Sequence, residues 1–295
     1  MIKILNGIIY RAKGLWGLIN GFFYQNPKIL DSKTSLRLIL ETKHSIARFG
    51  DGEFNIMRGG QIGFQKADVK LANRLHEVIN GKVEGLEIGI PDVFGDLSAY
   101  EKKSARFWRA YLGVHRREIV RLLDMDKTYL NTNMTRFWTG YRDKSSVRDI
   151  IKLYKAIWKD KKIVFVEGEL TRMGVGNDLF SEAESISRIL CPAENAWNRY
   201  DKIINTILEL NLCKDTLFIL ALGPTATVLA YDLTKNGYQA LDLGHLDVQY
   251  EYSLRNAKWK IALEGKYVNE NIEGREVSDS IIDDVYKNSV IAKIV

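Results

Sequence analysis

From residue 31 onward, short apolar runs alternate with stretches in which apolar residues recur every three or four positions. The runs have the length of buried strands, and the longer spacing is that of one face of a helix. The predicted strands are 45–49, 86–90, 128–131, 162–166, 216–222 and 239–243. The predicted helices are 66–79, 98–123, 145–158, 176–189, 196–210 and 225–235. This alternation predicts an α/β fold with a mainly parallel sheet that helices cover on both faces.

The first thirty residues follow a different pattern. On a helical wheel, nine apolar residues between Ile2 and Phe23 gather on one broad face, whereas Lys13 and Asn20 lie on the other. The longest uncharged stretch, 14–27, is too short and too often interrupted to span a bilayer, and no cleavage site typical of a secretory signal is present. We expect an amphipathic helix that rests on an anionic membrane surface, on the protein's own core or on a second subunit of a homo-oligomer.

Composition narrows the class of protein. The 295 residues are 46% hydrophobic and 27% charged, which indicates a globular protein and excludes a disordered or fibrous one. Residues 1–30 carry four cations and no acid, so the rest of the chain contributes only +2 to the net charge of +6. A nearly neutral body argues against nucleic-acid binding. The two cysteines exclude a disulfide scaffold and favour a reducing, cytoplasmic compartment.

Glycine stands beside charged or hydroxyl residues at the ends of four predicted strands. These segments are ARFGDGEF (47–54), VEGELTRMGVGNDLF (166–180), LGPTATVLAYDL (222–233) and LDLGHLDVQYEY (241–252). In open parallel sheets the ligand binds outside the carboxyl ends of the strands, and glycine lets a backbone approach it closely. We therefore expect the functional site at this edge of the sheet.

The first segment places Asp51 and Glu53 one residue apart in a turn that begins at Gly50. Two such carboxylates can bind one divalent cation, which in turn can bridge the oxygens of a diphosphate. The same residues also suit a helix start, where acidic groups favour the positive end of the helix dipole. Arg48 is placed to pair with these acids or to contact a phosphate.

The second and third segments predict anion sites. Neither contains the full dinucleotide fingerprint or a Walker loop. Both offer backbone N–H groups at a predicted helix start, which can bind a phosphate, and helix capping is the alternative for each. The candidate residues are Glu169, Arg172, Gly174, Gly176, Asn177 and Asp178 in one segment and Gly223, Pro224 and Thr225 in the other.

The last segment collects Asp242, His245, Asp247 and Glu251 within ten residues. Three carboxylates around one imidazole can supply a general base, further metal ligands or a hydrogen-bonded network that fixes the loop. A zinc hydrolase and a serine hydrolase are both disfavoured, because the sequence has no HExxH and no Gly-x-Ser-x-Gly motif.

In this order and spacing, the four segments resemble the motifs of the GT-D glycosyltransferases, a bacterial family of streptococcal surface-glycan and adhesin-glycosylation loci. The resemblance covers roughly 35–255. It implies a Rossmann-like domain that binds a nucleoside-diphosphate sugar, usually a UDP-sugar. It also implies a divalent metal, Mn²⁺ or Mg²⁺, at Asp51 and Glu53. The implied reaction moves the sugar to a glycan, lipid-linked or glycoprotein acceptor.

The resemblance also implies roles for the other segments. The second and third would line the nucleotide and diphosphate, and the loop from His245 to Glu251 would lie beside the donor sugar. Gln249 stands where the family pattern expects an acid, so we expect the base among Asp247, Glu251 and His245. The chain then divides into an amphipathic segment (1–30), a GT-D domain (31–260) and a C-terminal extension (261–295).

Two other functions use the same features: a nucleotide-sugar or nucleoside-diphosphate hydrolase, and a sugar-nucleotide-binding module without catalysis. Transfer is favoured by an aromatic and basic middle of the chain that can stack on an acceptor saccharide, with a buried helix pair as the alternative. Its residues are Phe107, Trp108, Arg109, Tyr111, Arg136, Phe137, Trp138 and Tyr141.

Overall fold

The computed structural model describes residues 23–268 and 282–294 continuously, together with 9, 12–17, 19, 274, 277 and 278. Within these residues, nine strands form one sheet in the order β1-β4-β3-β2-β8-β7-β5-β6-β9. They are β1 (Lys28–Ile29), β2 (Ser45–Arg48), β3 (Leu86–Ile90), β4 (Thr128–Asn131), β5 (Lys162–Gly168), β6 (Ser185–Cys191), β7 (Leu217–Ala221), β8 (Gln239–Asp242) and β9 (Val290–Lys293). Every pairing is parallel, which confirms the predicted sheet.

Helices cover both faces of this sheet. They are α1 (Ser32–Thr42), α2 (Asp51–Met57), α3 (Val69–Asn80), α4 (Lys102–Leu122), α5 (Val147–Trp158), α6 (Tyr200–Glu209), α7 (Pro224–Lys235), α8 (Leu246–Leu254) and α9 (Asp284–Ser289). Short 3₁₀ turns occupy Thr132–Arg136 and Ala196–Arg199. Alternate residues of β7 face opposite layers: Phe218 belongs to the apolar cluster that includes residues of α2, α3, α4, α6 and α7, and Ile219 belongs to the cluster that includes residues of α1, α5 and α8. The apolar run of β7 is therefore buried on both sides, as expected of a central parallel strand.

Strands β2 and β8 lie side by side at the centre of the sheet. After β2 the chain enters α2, whose Phe54 packs on one face, and after β8 it enters α8, whose Tyr250 packs on the other. The two chains thus diverge at the carboxyl ends of adjacent strands. Such a divergence opens a crevice at the edge of an open α/β sheet.

The predicted helix 176–189 is wrong. The chain after β5 forms an irregular loop in which Leu179 and Phe180 are buried, and Ser185–Cys191 forms β6 between β5 and β9. Apolar residues at 186, 189 and 190 fit either a helix or a buried strand, so their spacing did not discriminate between the two. Pairing with both neighbouring strands decides in favour of the strand.

The N-terminal residues 12–17 are helical and cross α4 at a glycine contact. A Cβ atom on Gly17 would lie 2.3 Å from the carbonyl oxygen of Arg109, and one on Gly113 would lie 2.0 Å from that of Lys13. The predicted helix thus packs on the protein through its small residues. Residues 9 and 19 are helical as well, and the other residues of the predicted segment up to residue 22 lie outside the described residues.

The segment predicted as a C-terminal extension contributes to the body of the fold. Leu263 and Val268 pack against α8, and β9 adds the last strand of the sheet beside β6. Searching the described residues for a helix long and apolar enough to cross a bilayer yields none.

Candidate active site

A cavity of about 360 Å³ opens at the carboxyl ends of the strands, where β2 and β8 diverge. Residues that follow β2, β3, β4, β5, β6, β7 and β8 all contribute to its wall. Its volume is in the range of small-molecule sites. The cavity thus lies where the strand-end segments predict a ligand.

The acidic pair lies at the base of this cavity. α2 begins at Asp51, and the Glu53 carboxylate accepts a hydrogen bond of 2.8 Å from the backbone N–H of Gly50. Both acids line the cavity, and Asp51 is exposed there. Burial raises the pKa of Glu53 to about 7, and the neighbouring carboxylate of Asp242 acts in the same direction. The two acids therefore start a helix and face the cavity at once, so both interpretations of the turn are compatible with the geometry.

Arg48 pairs with Asp242 across the two diverging strands. Its Nη2 donates to Asp242 Oδ1 at 2.9 Å, its Nε donates to the Asp242 carbonyl, and its Nη1 donates to Thr135 Oγ1 at 2.8 Å. Burial raises the pKa of Asp242, although the guanidinium beside it acts in the opposite direction. Arg48 lines the cavity with its orientation fixed by these contacts, and a fixed cation is suited to a phosphate.

The side chains available as metal ligands limit the kind of metal site that the cavity can form. Within the described ranges, no three carboxylate, imidazole or thiol side chains come together as a metal-binding group. Asp51 and Glu53 nevertheless bring two carboxylates to one cavity. Magnesium is commonly bound by one or two carboxylates plus substrate phosphates and water, and manganese favours the same ligands. The residues therefore fit a cation that a substrate diphosphate completes, and do not fit one held by protein groups alone.

The loop after β5 reaches the cavity only through Gly168 and Thr171. The six residues predicted there do not line it. Glu169 pairs with Lys293 of β9 at 3.0 Å, and Arg172 is buried with its Nη1 donating to the carbonyl oxygens of Gly265 and Ser278 at 2.9 and 2.6 Å. These contacts bind the loop to the C-terminal part of the chain.

Side chains of α5 and α8 hold the rest of that loop. Asp178 is exposed and accepts hydrogen bonds from Lys155 at 2.6 Å and from Tyr250, which lower its pKa. Gly174 and Gly176 adopt left-handed conformations with φ of 75° and 77°, which glycine tolerates without strain. The structure therefore places these residues in the wall behind the cavity.

Asp247 and Glu251 lie in a buried ionic network and do not line the cavity. Asn177 Nδ2 donates to both carboxylates, at 2.8 and 2.7 Å. Lys266 Nζ lies 2.6 Å from Asp247 and 3.1 Å from Glu251. Of the alternatives expected for this segment, these contacts are those of a network that fixes the loop. His245, which precedes α8, does line the cavity.

Of the three candidate residues in the third segment, only Gly223 lines the cavity. Its φ is 56°, and a Cβ atom there would lie 2.3 Å from a ring carbon of Phe64, so the position requires glycine. Pro224 begins α7, and the side chain of Thr225 is fully buried. The helix therefore starts at the cavity wall without presenting its threonines to it.

Several residues that line the cavity were not predicted. The turn after β4 contributes Thr132, Asn133 and Thr135, and the polar run TNMTR directly after a strand was the signal that could have found them. Phe64 and Asn195 come from loops without such a signal. Of the predicted aromatic and basic platform, Trp108 and Arg136 line the cavity, Phe137 is buried, and Tyr141 donates a hydrogen bond to Asp92.

Comparison with known proteins identifies the family to which this chain belongs. Residues 46–271 match the family described as glycosyltransferases with the GT-D fold. The chain is 34% identical over 261 residues to the glycosyltransferase GlyD of Streptococcus pneumoniae, covering 88% of this chain and 32% of that protein. It is 35% identical over 267 residues to the probable glycosyl transferase Gly of Streptococcus gordonii, covering 90% and 39%. The chain thus spans between 32% and 39% of the length of these two relatives.

Solved structures agree with this assignment. A domain of unknown function 1792, described as having a distinct glycosyltransferase fold, matches with a TM-score of 0.85 and 33% identity over 97% of this chain and 100% of that one. A structure from Streptococcus sanguinis, described as a new glycosyltransferase of the same domain type, matches with a TM-score of 0.84 and 33% identity over 92% and 100%.

Proposed function

Because this chain belongs to the family of glycosyltransferases with the GT-D fold, we propose that it transfers a sugar from a nucleoside-diphosphate sugar, specifically a UDP-sugar. The acceptor in this proposal is a glycan, a lipid-linked saccharide or a glycoprotein of the bacterial surface. The observation that supports it best is the pair Asp51 and Glu53 on the wall of the cavity where β2 and β8 diverge. A diphosphate is the ligand that this position and this donor set suit.

In this proposal Asp51 and Glu53 hold a divalent cation, Mn²⁺ or Mg²⁺. When bound, the cation would offset the negative charge of the leaving diphosphate. Arg48, oriented by Asp242 and Thr135, donates to a phosphate oxygen from the same side of the cavity. Because these groups are fixed before the substrate arrives, little reorganisation accompanies the reaction.

His245 is the best-placed of the three expected bases, since it lines the cavity whereas Asp247 and Glu251 lie in the network behind it. An imidazole can accept a proton from an acceptor hydroxyl near neutral pH. Trp108 of α4 and Arg136 of the turn after β4 line the cavity and offer a surface on which a saccharide ring can stack.

The test compares Asp51→Asn and Glu53→Gln with the unchanged chain, measuring UDP release from UDP-sugars with Mn²⁺ in the presence of a glycan acceptor. We expect each change to lower turnover about a hundredfold or more without lowering the unfolding midpoint. Asp201→Asn is the matched control, because Asp201 also lies in the first turn of a helix, α6, and does not line the cavity. Full activity of both variants would disprove the metal assignment.

The effect of the acceptor on UDP release distinguishes a transferase from a hydrolase and from a binding module. UDP release that requires the acceptor supports transfer. Release that runs to completion without an acceptor indicates a hydrolase, and donor binding without release indicates a binding module. Either of the last two results would overturn the proposal.

We also propose that the N-terminal helix contacts an anionic membrane surface. Ile9, Leu15, Trp16, Ile19 and Phe23 are all exposed, with Leu15 at 62% and Phe23 at 77%. Within the helical residues 12–17, Leu15 and Trp16 lie about 160° and 100° around the helix from Gly17 at 100° per residue. The contact with α4 uses the glycine edge instead, so the apolar face points away from the protein. The helix beneath it, α4, exposes six Lys and Arg residues and one Glu, a charge that suits anionic lipid.

A further inference from the structure

The chain that follows α8 returns to the cavity as a closing segment, residues 263–268. Leu263 and Val268 are buried against Val248 and Tyr252 of α8. Between them Tyr267 lines the cavity, and its backbone N–H donates to the carbonyl oxygen of Leu170 at 2.9 Å. The closing segment therefore joins α8 to the loop after β5 and completes the wall of the cavity between them.

Lys266 fixes this segment in place. Its side chain is 3% exposed, and its ammonium group lies between the carboxylates of Asp247 and Glu251, at 2.6 and 3.1 Å. Asn177 donates to the same two carboxylates from the loop after β5. Because a buried ammonium is stable only when it is paired, Lys266 has one favourable position. The position of the adjacent Tyr267 ring follows from it.

The part of the cavity next to Tyr267 suits a flat ring. Small residues line the cavity at the ends of β5 and β6, namely Gly168, Thr171 and Ala193. Tyr267 contacts the loop after β5, and the ring of Phe64 lies against Gly223 after β7. Arg136 lies instead in the turn after β4, on the other side of β2 in the strand order. Trp108 lies on α4 beside Tyr111, whose hydroxyl donates to the carbonyl oxygen of Asp51 at 3.4 Å. With the diphosphate at Asp51 and Glu53 between these two regions, the nucleoside and the acceptor have separate ends of the cavity to occupy.

We propose that Tyr267 stacks on the nucleobase of the donor and that Lys266 is the positioning residue that places it. This inference rests on the proposed function, since it takes the ligand to be a nucleoside diphosphate. Stacking is the expected mode because every nucleobase presents a π-face to an aromatic side chain. It assigns a binding role to a segment that the sequence patterns left without one.

The first test measures the affinity of the full chain for uridine diphosphate with Mn²⁺ by calorimetry. We expect Tyr267→Ala to weaken binding about tenfold and Tyr267→Phe to retain it, because stacking requires the ring and not the hydroxyl. Trp259→Ala is the control, an aromatic residue that is 70% exposed on the same stretch of chain and does not line the cavity. We expect it to bind as the unchanged chain does.

Inorganic pyrophosphate with Mn²⁺ separates stacking from a general structural role. Pyrophosphate has no base, so Tyr267→Ala should leave its affinity unchanged, and an equal loss for both ligands would overturn the inference. If the unchanged chain takes up no uridine diphosphate, the proposed function fails first. If it binds and Tyr267→Ala binds equally well, only the role of Tyr267 is lost.

The second test concerns Lys266. Lys266→Met should weaken uridine diphosphate binding as much as Tyr267→Ala does, and the double variant should be no weaker than either, because both changes remove one contact. If Lys266→Met does not fold, Lys266→Arg keeps the charge and is expected to bind within about threefold of the unchanged chain. Additive losses in the double variant, or a tenfold loss with Lys266→Arg, would contradict the positioning role.

Discussion

At the scale of single residues, the surroundings of Glu53 act on its pKa in two opposite directions. Its carboxylate accepts from the N-cap of α2, which favours the charged form, whereas burial and Asp242 favour the neutral form and bring its pKa to about 7. A structural cap does not need this burial. An acid that is only marginally charged near neutral pH is instead typical of a functional position.

Arg188 and Glu167 form a buried pair of a different kind. Arg188 pairs with Glu167, donates to the carbonyl of Met173 at 2.9 Å and lies 4.8 Å from the ring centre of Tyr286. We expect Arg188→Met to lower the free energy of unfolding by about 3–5 kcal/mol at pH 7, because it leaves a buried carboxylate without its partner. Urea unfolding measures the loss.

The pH dependence of that variant supplies its control. Burial already raises the pKa of Glu167. An acid whose pKa is raised in the folded state destabilises that state at high pH, and this cost shrinks as the pH falls from the folded pKa towards the unfolded value of about 4.3. Arg188→Met should therefore recover stability between pH 7 and about pH 5. The double variant with Glu167→Gln has no such group, and an equal recovery there would contradict the explanation.

At the scale of elements, the crossing of the N-terminal helix over α4 depends on glycine. Ala at position 113 would place its Cβ 2.0 Å from the carbonyl oxygen of Lys13, whereas a Cβ on Gly14 has no atom within 4 Å. Both substitutions raise helix propensity, by about 1 kcal/mol. We expect Gly113→Ala to release the N-terminal helix while the rest of the fold stays intact, and Gly14→Ala to keep it bound. Hydrogen exchange of residues 12–17 measures the difference, and equal protection in the two variants would show that the contact is unnecessary.

The elements that the sequence predicted are those whose own pattern determines them. The helix of 102–122 and the strand of 162–168 lie close to their predicted bounds, because each buries one stripe or one continuous run. β6 was predicted as part of a helix, since its apolar spacing fits both structures and only pairing with β5 and β9 selects the strand. α8 was not predicted, because it is buried on nearly every side and has no polar face to reveal a helical period.

At the scale of the whole molecule, the rule that ligands bind at the carboxyl ends of parallel strands predicted where the site lies. The same rule did not predict which residues line it. Strand ends gave Arg48, Asp51, Glu53, Gly223 and His245, because parallel strands bring their carboxyl ends together. The same rule predicted Asp247 and Glu251 at the cavity, whereas both carboxylates pair with Lys266, which lies nineteen and fifteen residues further along the chain. Contacts between distant parts of the chain determine which polar residues face a ligand and which hold the wall.

The surface of the whole molecule leads to the prediction for membrane binding. The chain should bind vesicles of equimolar phosphatidylcholine and phosphatidylglycerol more tightly than vesicles of phosphatidylcholine alone, and added salt should weaken the binding because it screens the cations of α4. Trp16→Ser should lower the affinity for the vesicles about tenfold, since it removes a large apolar side chain from the face that enters the lipid.

Co-sedimentation with the vesicles measures each affinity, and Trp259→Ser is the control because Trp259 is also exposed, at 70% against 56% for Trp16, but lies outside the helix. Arg109→Gln, beside Gly17, should weaken binding to the anionic vesicles about fivefold. Equal binding to both kinds of vesicle would contradict the electrostatic part of the proposal. A dimer that Trp16→Ser dissociates would show that a second copy of the chain covers the apolar face instead, because the same five side chains cannot be buried in lipid and in an interface at once.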